Sequence, residues 1–237
     1  MPYYGYGYGM FFDPTYILVI IGALLSLWAS ARVNSTFKKY SRVRSMTGMT
    51  GAEAAERLLR SQGITDVTVR AVQGSLTDHY DPRTKTVNLS EAVYGQRSVA
   101  AIGVAAHECG HAIQDNVGYV PLKLRGAIVP AANIGSMLSW PMIVIGLIIG
   151  MTPFIQLGIW LFTLALAFQV ITLPVEFNAS ARAVRLLDSQ GILGGEEVRE
   201  TRKVLGAAAL TYVAAVAVSL LQLLRLLILF GGRRGND

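Results

Sequence analysis

The sequence predicts a mostly α-helical membrane protein: three or four transmembrane helices with a small α+β domain at one membrane face. Three observations carry that prediction. Only 15% of the 237 residues are charged and 52% are hydrophobic, with a mean hydropathy of +0.44; an ordinary soluble domain carries about 25% charged residues. The apolar residues fall in long blocks, and Lys and Arg cluster beside those blocks. Between the first and second blocks lies a polar section with strand and turn signals.

The first block runs over residues 16–31. A Tyr/Gly-rich segment without Lys or Arg precedes it, and Arg32, Lys38, Lys39, Arg42 and Arg44 follow it. A secretory signal carries its positive charge in front. Despite the AxA-like Ala29-Ser30-Ala31, residues 1–32 therefore read as a tail plus a retained anchor with its N-terminus outside. Tyr3, Tyr4, Tyr6 and Tyr8 would sit in an interfacial aromatic belt.

Residues 33–126 form the polar section. Thr50-Gly51-Ala52-Glu53 is a capping-box pattern, opening a helix that buries Ala54, Leu58 and Leu59 and stops near Gly63. Residues 67–71 alternate as a strand. Residues 75–80 and 84–89 read as two more strands around the turn Asp81-Pro82-Arg83. Ser98 can cap a following helix that runs to about Gln114.

Residues 127–173 hold two further apolar blocks, 128–151 and 154–173, joined by the uncharged Thr152-Pro153. Each is long enough for a hydrocarbon core of about 30 Å, so the pair predicts a transmembrane hairpin turning on the far side. Residues 174–204 return to the basic side with Arg199, Arg202 and Lys203, and Pro174 suits the first turn of a new helix. Residues 205–237 carry an apolar run to Phe230, interrupted by Gln222 and Arg225. That run is either a fourth span, with Arg225 snorkelling, or a helix packed on the core. The positive-inside rule then predicts a multi-pass protein of the cell (inner, cytoplasmic) membrane, with its polar domain facing the cytoplasm.

The net charge of +6 is accounted for by this flanking placement. No basic stripe is interleaved with aromatics, so nucleic acid is not an expected partner. The single cysteine, Cys109, excludes an intramolecular disulfide.

The chemistry concentrates in His107-Glu108-Cys109-Gly110-His111, an HExxH motif inside an alanine-rich run. On a helix, residues four apart lie about 40° apart around the axis, so both imidazoles point to one side and can grip one ion. Glu108 sits one step round, placed to take a proton from water as a general base. Cys109 lies about 200° round from His107 and reads as a packed small side chain. Two His ligands and a carboxylate base are the zinc-hydrolase pattern. The expectation is a zinc-dependent hydrolysis of peptide bonds in peptide or membrane-protein substrates, with one Zn2+ per chain and the lipid bilayer as its setting.

A catalytic zinc usually takes a third protein ligand. The metzincin continuation fails, because Gln114 and Val117 stand where Gly and His are required. What remains is His79 or a carboxylate. Glu176, on a second helix as in the gluzincin form of the zincin fold, is the best carboxylate, and Asp188 competes with it. A donor aimed at the developing oxyanion is worth roughly 3 kcal/mol; His79, Tyr80 and Arg182 are the candidates. The strand ending in Leu89 precedes the motif helix and is a candidate edge for binding extended substrate.

Two other readings compete. An intramembrane protease of the site-2 kind would need the motif deep in a span, yet the apolar run over 99–113 is short of about 20 residues. A zinc-binding membrane scaffold without turnover would keep the ligands and not the reaction.

The runs Leu76-Thr77-Asp78-His79-Tyr80-Asp81-Pro82 and Val87-Asn88-Leu89-Ser90-Glu91 complete a pattern with His107-Glu108-Cys109-Gly110-His111-Ala112-Ile113-Gln114 and Glu176-Phe177-Asn178-Ala179. Together they resemble the YugP-like membrane zinc metallopeptidases and, more distantly, the HtpX-like membrane peptidases. The resemblance extends from the first apolar block almost to the C-terminus. It implies zinc held by His107, His111 and Glu176, with Glu108 as the base, and it names no substrate. In HtpX-like proteins an aspartate commonly follows the third ligand by four residues. Here Ser180 holds that position, leaving Asn178 or Arg182 to orient the ligands.

Overall fold

The structure is a computed structural model, described over residues 13–74 and 76–231. The expected aromatic belt of Tyr3 to Tyr8 lies outside the described residues. The chain order is α1 (Tyr16–Tyr40), α2 (Gly51–Ser61), β1 (Thr68–Val72), β2 (His79–Asp81), β3 (Thr86–Ser90), α3 (Val99–Asn116), α4 (Val120–Ile149), α5 (Thr152–Ser189) and α6 (Gly195–Phe230). Four of these helices, α1, α4, α5 and α6, are long and apolar enough to cross a membrane. The last apolar run is therefore a fourth candidate span.

The chain divides into two compact units. Of the described residues, one unit comprises 13–28, 129–169 and 213–231; the other comprises those of 29–128 and 170–212.

In the first unit, α4 and α5 form the expected hairpin, turning at Gly150 with φ +71°. A Cβ on Gly158 would stand 2.7 Å from the Ser139 carbonyl oxygen. Only glycine permits that approach, which is how spanning helices pack where burial of apolar surface gives no drive. Outward side chains are large and apolar, with Leu24 61% and Trp160 73% exposed, as a lipid-facing surface requires. Arg225 is not left to reach for water alone. Its guanidinium donates to Thr15 Oγ1 at 3.1 Å, pairs with Asp13 Oδ2 at 3.4 Å and lies 4.5 Å over the Tyr16 ring. The cation inside the apolar run is neutralised by the N-terminal end of α1.

The second unit holds a sheet, two whole helices and parts of the four long ones. Thr50 caps α2 with the full reciprocal box, and Gly63 with φ +69° follows its end. Leu58, Val87, Leu89, Val99, Ile102 and Leu187 form a continuous buried core from α2, β3, α3 and α5.

The sheet order is β1-β3-β2, with β1 parallel and β2 antiparallel to β3. This corrects the expectation that the strand ending in Leu89 is a free edge. Both sides of β3 are paired, and the edges are β1 and β2. A second correction concerns Pro174. It opens no new helix, because α5 runs unbroken from Thr152 to Ser189 with Pro174 inside it. Packing holds the helix through the residue that lacks an N–H.

The β2–β3 hairpin is fastened to the end of α3. Lys85 Nζ and the Tyr80 hydroxyl both donate to Asp115 Oδ2, at 2.7 and 2.8 Å. Burial pushes the Asp115 carboxyl up, but the Lys85 and Tyr80 hydrogen bonds outweigh it and hold its pKa below the ordinary value. A carboxyl lowered in the folded state stabilises fully above its unfolded pKa of about 3.9 and loses that contribution as pH falls through the folded value. Asp115→Asn should cost about 1 kcal/mol at pH 7, discounted for the half-exposed lysine, and much less at a pH below the lowered folded-state value. Thermal unfolding at both pH values checks this; equal losses at both would contradict the linkage.

Candidate metal centre

His107 and His111 lie one helical turn apart on α3, and Glu176 stands on α5. The two helices meet at Gly110, where a Cβ would sit 2.6 Å from the Ala179 carbonyl oxygen. No side chain fits there. The glycine of the motif is thus a packing residue, and the contact it permits lets α5 deliver Glu176 to the imidazoles.

One ligand atom from each of the three lies within 4.8 Å of the others. Glu176 Oε2 is 3.3 Å from His107 Nε2 and 3.6 Å from His111 Nε2. These separations exceed an ordinary N–H···O bond of about 2.9 Å. They match the roughly 3.3 Å between two ligands of a tetrahedral ion with bonds of about 2.0–2.1 Å. Glu176 Oε2 is fully buried and has no hydrogen-bond partner. An orphaned carboxylate oxygen facing two imidazole nitrogens fits a divalent cation, and the donor set suits zinc.

Each ligand is held from behind. The Ser180 hydroxyl is 3.1 Å from His107 Nδ1, and Gln114 Oε1 is 3.0 Å from His111 Nδ1. With the proton on Nδ1, both rings present the Nε2 lone pair to the ion. The Gln114 amide donates in turn to the Val175 carbonyl at 2.8 Å and to Asn178 Oδ1 at 3.0 Å, and Arg182 Nε donates to the same Oδ1 at 2.8 Å. Arg125 binds the other Glu176 oxygen, Oε1, at 3.0 Å. Burial disfavours a charged His111 ring, but Glu176 and Glu108 offset that and raise its pKa above the ordinary value. The field at the site favours positive charge.

The structure thus brings His107, His111 and Glu176 together. Glu108, 7% exposed, lines a cavity of about 310 Å3 with His107, Glu176, Ser180 and Tyr212. The proposed oxyanion donors do not line it. His79 is exposed, its ring within reach of the Thr77 carbonyl oxygen at 2.8 Å and the Asn88 amide at 3.2 Å. Tyr80 is committed to Asp115, and Arg182 to Asn178. Asp188 is exposed at the end of α5, outside the cluster. Cys109 is buried, its Sγ 3.6 Å from the Ala55 carbonyl, and burial pushes its thiol up, away from thiolate chemistry.

Two residues of the site gave no readable signal. Arg125 looks in the sequence like one more flanking charge. Tyr212 sits in an apolar run, yet it lines the cavity beside Glu176.

Four helices fit to cross a membrane and a His, His, Glu cluster define a membrane protein with a candidate metal centre. Over residues 15–231 the chain matches the family described as "Putative neutral zinc metallopeptidase", and it belongs to that family. It is also 49% identical over 223 residues to the protein called "Putative membrane protease YugP" from Bacillus subtilis (strain 168), an alignment covering 93% of this chain and 99% of that protein. No solved structure matches the chain.

Gly110→Ala tests the helix contact. In a free helix the change should stabilise by about 1 kcal/mol; here it should lower both the unfolding temperature and the zinc content of the purified protein. Stabilisation with full zinc would contradict the packing role. Ser180→Ala should weaken zinc binding about tenfold, as loss of a group that orients a ligand does, read by competition with a chromogenic chelator. Unchanged affinity would show that the hydroxyl orients nothing.

Proposed function

We propose that this protein is a zinc metalloendopeptidase of the gluzincin kind. It holds one zinc per chain, sits in the cell membrane with its centre toward the cytoplasm, and cuts membrane-proximal segments of proteins. The carrying observation is the buried, unpartnered Glu176 Oε2 aimed at two imidazole Nε2 atoms. Membership of the metallopeptidase family supports the reaction class. The cytoplasmic orientation rests on the cations at 32–44 and 199–203, beside the apolar runs.

Zinc, when bound, supplies a Lewis acid that lowers the pKa of water from about 16 toward 7. Glu108 is the residue placed to accept the proton of that water, since it lines the cavity next to His107 on the same helix. After attack on the peptide carbonyl it returns the proton to the leaving amine. Tyr212 is the donor we assign to the developing oxyanion, because it faces the cavity and the three donors expected from sequence do not. Arg125 offsets the charge of Glu176 and leaves Oε2 free for the ion.

The cavity lining supports a substrate class. Val33, Phe37, Leu76, Val104 and Leu205 make its walls mostly apolar, which suits an apolar side chain beside the scissile bond. The free side of β2 is the edge on which an extended peptide can add a strand. Such a segment is a loop or an unfolded stretch of a membrane protein. An intramembrane reading is disfavoured, because α3 is not among the helices apolar and long enough to cross.

Glu108→Gln should retain zinc and lose activity on unfolded and membrane-protein substrates by about 10²–10⁴-fold. Full cleavage by a zinc-loaded variant would remove Glu108 from the reaction, and a zinc-loaded wild type that cuts nothing would favour a scaffold. Tyr212→Phe should lower kcat about 10²-fold with KM little changed. A rise in KM alone would make Tyr212 a binding residue.

A further inference from the structure

A second cavity of the same unit lies along α1 and α6, and it differs from the candidate metal centre in every chemical respect. Its volume is about 550 Å3, and Arg32, Ser35, Thr36 and Lys39 of α1 face Lys203 and Gly206 of α6 across it. Three cations and three hydroxyl-bearing residues, Ser35, Thr36 and Tyr40, thus line one concavity, and no carboxylate lines it. Among the described residues, Arg32, Lys39 and Lys203 form no ion pair; Lys39 Nζ lies 5.2 Å over the Tyr40 ring. Glu196 of α6 is paired with Arg199. Unpaired cations gathered in a pocket, with hydroxyl donors beside them, await an anion with several acceptor oxygens.

Position along the helices says which anion. Arg32 and Lys39 follow the apolar run of α1, and Lys203 immediately precedes that of α6. In a membrane-spanning chain those are headgroup positions, and basic pockets between spanning helices there bind anionic lipids. The glycine adds a second indication. Nothing lies within 4 Å of a Cβ built on Gly206, so no packing contact demands glycine there, while its missing side chain keeps the pocket open.

We propose that this pocket binds the phosphate of an anionic phospholipid headgroup. The cations bind the phosphate oxygens, and the Thr36 hydroxyl donates to them, while the Ser35 hydroxyl donates to the Arg32 carbonyl at 3.1 Å. Neighbouring faces of α1 and α6, through Phe37 and Leu205, wall the cavity of the metal centre, so the lipid would brace the two helices that bound that site.

The test uses the full-length protein in neutral detergent micelles, titrated with short-chain phosphatidylglycerol and followed by native mass spectrometry. Wild type should retain one phosphatidylglycerol, which phosphatidylcholine does not displace. Lys39→Gln with Lys203→Gln should weaken binding roughly 25-fold, about fivefold per cation. Lys39→Arg with Lys203→Arg should keep it. Gly206→Leu, which fills the pocket without removing charge, should abolish retention. Lys38→Gln with Arg42→Gln removes two cations of the same stretch that do not line the pocket, and should change little. The proposal fails if this control weakens binding as much as the pocket pair, since the charges would then act only as a diffuse field. It fails equally if Gly206→Leu binds normally. Inorganic phosphate competing as tightly as the lipid would make this a free-phosphate site and overturn the lipid assignment.

Discussion

The metal centre depends on one contact, the approach of α5 to α3 at Gly110. Glu176 and the two histidines are 65 or more positions apart in the chain, and nothing local holds them together. The Ala179 carbonyl fills the space a side chain at 110 would need. That places Glu176, one turn back along α5, opposite His107 and His111. Ser180, one residue beyond the contact, reaches His107 Nδ1. A helix pair packed one methyl group further apart would lose the carboxylate and the ring-orienting hydroxyl together.

Electrostatics then decides what the pocket will hold. A carboxylate with one oxygen bound by Arg125 and the other unpartnered is costly to bury. Two imidazoles whose Nδ1 atoms are engaged by Ser180 and Gln114 turn their lone pairs toward that oxygen. Acceptors converging on one point are tolerable only around a cation. The Gln114, Asn178 and Arg182 chain extends this order along α5, so the residues behind the ligands link the same two helices that Gly110 joins.

Much of this was legible in the sequence, for reasons that can be stated. The HExxH spacing is a local property of a helix, and the capping box at Thr50 and the cap at Ser98 are also local, so each appeared where expected. Glu176 stood out because it lies just past the third apolar block, on the membrane side expected for the motif helix. The misreadings were all tertiary. Strand β3 is central because β1 joins it in parallel across a long connection, which no alternation pattern records. Pro174 ends no helix because packing outweighs its missing donor. Arg125 and Tyr212 acquire their roles from helices brought in from distant positions, and by local pattern they are a flanking cation and one more residue of an apolar run. The partner of Arg225 escaped notice because Asp13 lies at the other end of the chain.

X-ray absorption at the zinc edge of the metal-loaded protein tests the ligand set most directly. The account predicts two imidazole nitrogens and low-atomic-number oxygen scatterers at about 2.0–2.2 Å, with no sulfur. A sulfur shell at about 2.3 Å, or a third imidazole, would place Cys109 or His79 on the metal and contradict the α3–α5 centre.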